Sequence, residues 1–235
     1  MLIVGGNQSA ASSHDVANSL RFNDDNTDYL NRTPGSAGDQ QKFTFSVWVK
    51  RCTLGYEYVF SQGYDGNNNN VLVFNDDNTM TAWNYQGGFQ YLLKTKQQFR
   101  DTAAWSNVVV AVDTTQSTSS DRVKIYHNGT RITEFKSGEE TYPSQNTNLI
   151  INTTNSFKIG TYHDASVPFD GYMAETVLID GQQLDPDQFG EFDSDSGIWK
   201  PIDVSGLTFG TNGFHLDFED SSALGNDVSG NNNDF

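Results

Sequence analysis

Residues 105–129 read WSNVVVAVDTTQSTSSDRVKIYHNG, and this run decides the fold. In an extended chain Val108, Val110 and Val112 face one way and Val109 and Ala111 the other. A strand apolar on both faces is expected to be buried on both. A polar loop follows, and Val123 and Ile125 begin a second strand ending at Asn128-Gly129. That dipeptide most readily supplies the two φ > 0 positions of a tight hairpin turn. The run is therefore a hairpin of an all-β, antiparallel sandwich.

Outward from the hairpin, strand and turn signals recur without a clear linker. On the N-terminal side, Phe43–Lys50 (FTFSVWVK) alternates apolar and polar residues, and Ser19–Phe22 starts an earlier strand. Tyr56–Ser61 and Val71–Phe74 flank an Asn-rich stretch at 66–70 that reads as a loop. Met80–Tyr85 and Phe89–Leu93 read as a hairpin around Gly87-Gly88. The hexapeptide FNDDNT occurs at 22–27 and again at 74–79, and Asn and Asp favour a turn at both places. On the C-terminal side, 136–147 reads as a polar loop, followed by strands at Leu149–Asn152, Phe157–Gly160 and Glu175–Ile179. Asp185-Pro186 is a plausible cap and first position of one short helix at 184–189. Gly213–Phe218 is a last strand. The expected organisation is an N-terminal arm at 1–18, a sandwich at 19–218 and a polar Asn/Asp/Gly-rich C-terminal tail at 219–235.

The 235 residues carry a formal net charge of −16, with 30 Asp and Glu against 14 Lys and Arg. An excess of that size opposes binding to a nucleic-acid backbone. Cys52 is the single cysteine, so stability is expected from packing rather than from an intrachain disulfide. The first residues lack the basic and apolar regions of a secretory signal. No segment approaches the roughly 18 apolar residues that span a bilayer, so membrane insertion is not expected.

The hairpin also carries a resemblance. Trp-x-x-Val-x-Val-x-Val-Asp at 105–113, followed by Ile-Tyr-x-Asn-Gly at 125–129, resembles the core of laminin G-like domains in the concanavalin A-like lectin/glucanase superfamily. FTFSVWVK, FKIG at 157–160 and FDGYMAETVLIDGQQLDPDQF at 169–189 resemble the other strands of that domain, in the same order. The resemblance implies a jelly-roll β-sandwich, with Trp48, Trp105 and Phe157 as packing residues. More narrowly, SLRFNDDNTDYLNRTP, FRDTAAWSNVVVAVDTTQ and GTNGFHLDFED are similar to laminin G-like proteins of tailed, especially marine, bacteriophages. This similarity implies a virion-surface location, as a tail-fibre or appendage module that attaches to host-surface glycans. A purely structural virion subunit of tail, neck or capsid decoration is the alternative. The implied partners are other virion proteins, host polysaccharide and further copies of the chain, as a trimer by analogy with fibres.

A glucanase superfamily raises hydrolysis as a possibility. Laminarinase-type enzymes place their carboxylates as Glu-x-Asp-x-x-Glu on one strand face. The nearest match is Glu191-Phe192-Asp193-Ser194-Asp195-Ser196, in which serine replaces the second glutamate. The four histidines lie in unrelated contexts and there is no G-x-S-x-G elbow, so no catalytic residue is assigned. His127, next to the turn, is expected to be exposed.

Sugar binding needs aromatic faces beside amide and carboxylate groups. Trp83, Asn84, Tyr85, Phe89 and Tyr91 form the first such cluster, and Tyr162, His163 and Asp164 the second, although alternation must bury some of them. One structural calcium ion is also considered, since Asp and Asn in loops supply the oxygen ligands it takes. Its candidate ligands are Asp24, Asp25, Asp170 and Asp217 or Asp220. They would converge if the first and terminal strands pair, as the family resemblance implies, and each is otherwise an ordinary turn or surface carboxylate. Asp227, Asn231 and Asn233 are candidates for a second site if the tail is ordered.

Overall fold

The computed structural model describes residues 14–235, so the expected arm lies outside the described residues except for 14–18. The strands in chain order are β1 (Leu20–Phe22), β2 (Leu30–Arg32), β3 (Lys42–Arg51), β4 (Glu57–Asp65), β5 (Asn68–Phe74), β6 (Thr79–Gln86), β7 (Phe89–Gln98) and β8 (Ser106–Asp113). They continue as β9 (Val123–His127), β10 (Thr130–Ile132), β11 (Phe135–Thr141), β12 (Phe157–Ile159), β13 (Gly171–Asp180), β14 (Gly190–Phe192), β15 (Trp199–Pro201) and β16 (Phe214–Leu216). One antiparallel sheet runs β1-β13-β3-β8-β9-β10, with β16 also on β13. The second runs β11-β7-β6-β5-β4-β12-β2, and β14 and β15 form a separate hairpin.

The two faces of β8 are both buried, each by a different partner. Val108, Val110 and Val112 point between the sheets, where they join Phe45, Phe60, Leu72 and Leu93. Val109 and Ala111 point outward and are covered by Phe189, Val204 and Phe209 from the segment that follows β13. Asn128 and Gly129 take φ of 46° and 75°, the two left-handed positions the turn requires. Aromatic rings fill the centre of the sandwich: Phe45 and Phe60 lie 4.4 Å apart, and Phe60 stacks on Phe157 at 5.3 Å.

Several expectations are corrected. Asn68–Asn70 belong to β5, and the loop expected at 136–147 begins with strand β11, which pairs with β7. Leu149 and Ile151 are buried in the core, but their backbone is irregular. The short helix at 184–189 is a single 3-10 turn, Pro186–Gln188, and the Asp185 carboxylate accepts the Tyr126 hydroxyl instead of capping it. Trp105 is 37% exposed rather than part of the core, because β8 begins one residue later. His127 is half-buried: it lies edge-on to Phe99 at 5.0 Å and is bonded to Gln97 and Ser106.

The first and terminal strands do not pair with each other. Both lie along β13, β1 opposite Gly171–Met173 and β16 opposite Thr176–Leu178. Between them Glu175 takes φ of 44° at the register shift of β13 against β3, and accepts a hydrogen bond from His215 Nε2 at 2.8 Å. Residues 219–235, polar in composition, fold back on this end of the sandwich. Phe235 packs edge-on to Phe214 at 4.8 Å, and the Asp227 carboxylate accepts the backbone N–H groups of His215, Ser229 and Asn233.

Candidate functional site

The second sheet exposes a face that the C-terminal segment leaves uncovered, and a groove of about 580 Å³ lies on it. Its floor follows from alternation along β5, β6 and β7. Asn69 is opposite Tyr85, Val71 opposite Trp83 and Val73 opposite Thr81, and the next strand adds Phe89, Leu92 and Lys94. The intervening residues point into the core. Among the sequence candidates, Trp83, Tyr85, Phe89 and Tyr162 line the groove.

Asn84 and Tyr91 do not, and are corrected here. They face each other across β6 and β7 on the inner side, both fully buried, and each donates to Asn70 Oδ1, at 3.2 Å and 2.6 Å. Being one residue out of phase with Trp83 and Tyr85 puts Asn84 on the opposite face of the sheet. His163 packs against the Tyr162 ring at 4.1 Å, beside the groove rather than in its lining.

The aromatic groups gather at two places. On the β4 side, Tyr58 stacks with Tyr162 at 4.5 Å and meets Tyr56 edge-on at 5.3 Å. Burial pushes the Tyr58 hydroxyl far above its ordinary range, and Tyr162 is raised by burial and by nearby Asp164, so both stay neutral hydrogen-bonding groups. At the hairpin end, Tyr85 and Phe89 meet edge-on at 4.9 Å, with Phe89 48% exposed. Between them, the Trp83 indole N–H donates to Asn69 Oδ1 at 2.7 Å, which fixes the ring. Asn69 in turn donates to the Tyr162 hydroxyl at 3.3 Å.

The other end is polar. Asn75 donates to the Thr81 hydroxyl at 2.8 Å. Lys94 lies 3.4 Å from Asp77 and 3.7 Å from Glu139. Desolvation works against ionisation of Asp77, but hydrogen bonds from Lys136 and Thr79 and the Lys94 charge hold its carboxyl well below the usual carboxylate range. Tyr56, Asn69, Asn75, Thr81, Lys94 and Glu139 are site residues that the sequence reading missed. Continuing the alternation of Trp83 and Tyr85 back to Thr81, and of Val71 and Val73 out to Asn69 and Asn75, is the signal that finds those three.

The hydrolase-like stretch lies elsewhere. Glu191 is in the β14–β15 hairpin, paired with Lys200 at 3.2 Å. Asp193 is held down at about 2 by the backbone N–H and hydroxyl of Ser196, by the Asp195 N–H and by Lys200. Within the groove, Glu139 is the one acidic lining residue among those described.

The calcium candidates are scattered in role. Asp24 and Asp25 lie on an exposed 3-10 turn, the buried Asp170 carboxylate is paired with Arg21, and Asp217 accepts the Glu219 N–H. Asp227 and Asn233 are spent on fastening the tail to the sandwich, Asp227 by accepting the His215 N–H and Asn233 by donating to the carbonyls of Thr211 and Gly213. Among the described residues, no three His, Cys, Asp or Glu side chains gather as a metal site.

Two seven-stranded antiparallel sheets packed as a sandwich, one of them with an open face, define the concanavalin A-like class of fold. The chain belongs to the concanavalin A-like lectin/glucanases superfamily, whose family model matches residues 24–188. No curated protein matches the chain. Among solved structures, it is similar to the heptameric SAP-like pentraxin of Limulus polyphemus, with a TM-score of 0.50 at 11% identity over 73% of this chain and 80% of that one. It is also similar to domains LG4-5 of the mouse laminin alpha1 chain, with a TM-score of 0.50 at 10% identity over 85% of this chain and 47% of that one. Both likenesses are of fold.

Proposed function

We propose that the chain is a non-enzymatic glycan-binding module, with the groove over Trp83 as its binding site, displayed on the surface of a tailed-phage virion and used in host attachment. The observation that carries the binding reading is the combination in one groove of two aromatic clusters, a floor ring held by Asn69, and hydroxyl and amide groups between them. Concave sites with a few fixed polar groups among aromatic rings suit sugars, which present apolar faces and hydroxyl edges together.

A non-enzymatic role is supported by the carboxylates. Glycoside hydrolysis ordinarily uses two of them across the scissile bond, about 5–9.5 Å apart. The groove lining supplies Glu139 alone among the described residues, and it lies beside Lys94. The virion assignment rests on the similarity of SLRFNDDNTDYLNRTP and the other quoted stretches to phage proteins. Oligomeric display would let weak single-site binding add up to firm attachment.

A glycan array probed with the purified protein and with Tyr85→Ala tests the binding reading. Retention of specific glycans by the parent and their loss by the variant are expected. No retention by either rejects a glycan-binding role. The virion assignment is tested separately by probing purified particles with an antibody to this chain, where absence of label rejects it.

A further inference from the structure

We infer that the groove holds an internal stretch of a linear, uncharged polysaccharide, with several sugar rings laid along strands β5 and β6. This rests on the glycan-binding reading above and specifies its ligand.

The direction comes from the register. Tyr85 with Phe89, Trp83 with Leu92, and Thr81 with Lys94 form three successive cross-strand rows on the open face. Alternate residues of a strand are about 6.7 Å apart, so the three rows extend about 13 Å along the strands. That is longer than one pyranose ring, and the groove's 580 Å³ is correspondingly large for a monosaccharide. The rows also differ in chemistry. An aromatic row at the hairpin leads to the anchored indole and then to hydroxyl, amide and ammonium groups. A single ring would use one row and leave the others idle.

The hairpin end of the groove is open. A Cβ atom added at Gly66, Gly87 or Gly88 would meet nothing within 4 Å. A chain lying over Tyr85 and Phe89 can therefore run on past the β4–β5 and β6–β7 turns without a wall to stop it. A site for a chain end needs such a wall.

The charge preference comes from Lys94, the one cation lining the groove among the described residues, whose ammonium lies near both Asp77 and Glu139. A sugar carboxylate or sulfate would have to displace one of these partners. It would also approach a chain of net charge −16, which repels polyanions at long range. An amino sugar gains little, because both carboxylates at that end already face Lys94, Glu139 at 3.7 Å and Asp77 at 3.4 Å, and Asp77 is also paired with Lys136 at 2.8 Å. Neutral hydroxyl-rich rings avoid both costs.

The test is calorimetric titration of the full chain with two sets of probes. One set is neutral and linear: hydroxyethyl cellulose, β-1,3-glucan and β-1,4-mannan, each with its oligosaccharides from the monosaccharide upward. The other is charged: alginate and a sulfated galactan. The inference predicts binding to at least one neutral series and affinity at least about tenfold, or 1.4 kcal/mol, higher for the trisaccharide than for the monosaccharide. It also predicts a number of sites on the polysaccharide that scales with mass rather than with chain ends. Preference for a charged glycan, full affinity for the monosaccharide, or one site per chain end overturns the inference while leaving glycan binding intact. No heat with any glycan, repeated with an array as a second readout, removes the reading beneath it as well.

Discussion

The Trp83 indole N–H donates to Asn69 Oδ1 at 2.7 Å across β5 and β6, and this bond holds the central ring of the groove. Asn69 is itself held by Asp65 and Tyr162, so three segments of chain converge on one side chain. Asn69→Ala is expected to cost about 1–3 kcal/mol, since it leaves a partly buried indole donor unpaired. The same change should also weaken glycan retention, because it frees the ring that the bond holds. Urea unfolding and an array read on the same samples check both parts.

Buried charge offers a second prediction. Arg51 and Glu57 are both almost fully buried and pair at 2.7 Å, and Arg51 also donates to the carbonyls of Phe99 and Gly55. Arg51→Met is expected to destabilise by about 3–5 kcal/mol, because it leaves a carboxylate buried without its partner. Burial already pushes Glu57 above its ordinary value, against the pull of Arg51. A raised folded-state pKa favours the protonated form, so the stability it contributes is present at low pH and lost as pH rises. The deficit of Arg51→Met should therefore shrink as pH falls, which equilibrium unfolding across acidic buffers measures.

His127 gives a pH dependence of the opposite sign. Burial pushes its pKa down, and Gln97 donates to Nδ1 while Nε2 faces Ser106 Oγ. The neutral ring's contribution is complete above the unfolded value of about 6.5 and is lost as pH falls through the lower folded value. The parent should lose stability over that window, and His127→Gln should flatten the profile. Parallel thermal melts from neutral to mildly acidic pH decide it, and an unchanged profile counts against the neutral assignment.

Residues 219–235 are expected to behave as part of the fold. The Asp227 carboxylate accepts four hydrogen bonds, from the backbone of His215, Ser229 and Asn233 and from the Ser229 hydroxyl. Asp227→Ala should cost about 1–3 kcal/mol through the donors it strands. Phe235→Ala opens space against Phe157 and Phe214 and should cost up to about 3 kcal/mol, at the low end for a buried aromatic because Phe235 is only half-buried. Unfolding midpoints of the two variants test this, and values equal to the parent contradict it.

The hairpin at 105–129 was legible because both faces of its first strand are apolar and its turn carries Asn-Gly. The family followed from the order of such strands. The groove was only partly legible. Residue type points to Trp83, Tyr85, Phe89 and Tyr162, but aromatic type alone does not say which face a side chain occupies, and Tyr91 lies on the core side. Asparagine is a poor strand former, so Asn68–Asn70 look like a loop in the sequence. In the fold their backbone is paired on both sides, which outweighs that preference. The folding back of the tail rests on side-chain to backbone bonds made across the sheet end, and these leave no periodic trace in sequence.

The most direct test of the central claim is a structure of the protein with a bound neutral oligosaccharide. The account predicts sugar rings over Trp83, between the Tyr85–Phe89 pair and Tyr162, running along β5 and β6. Sugar bound at the sandwich rim or on the β14–β15 hairpin, with the groove over Trp83 empty, would contradict it.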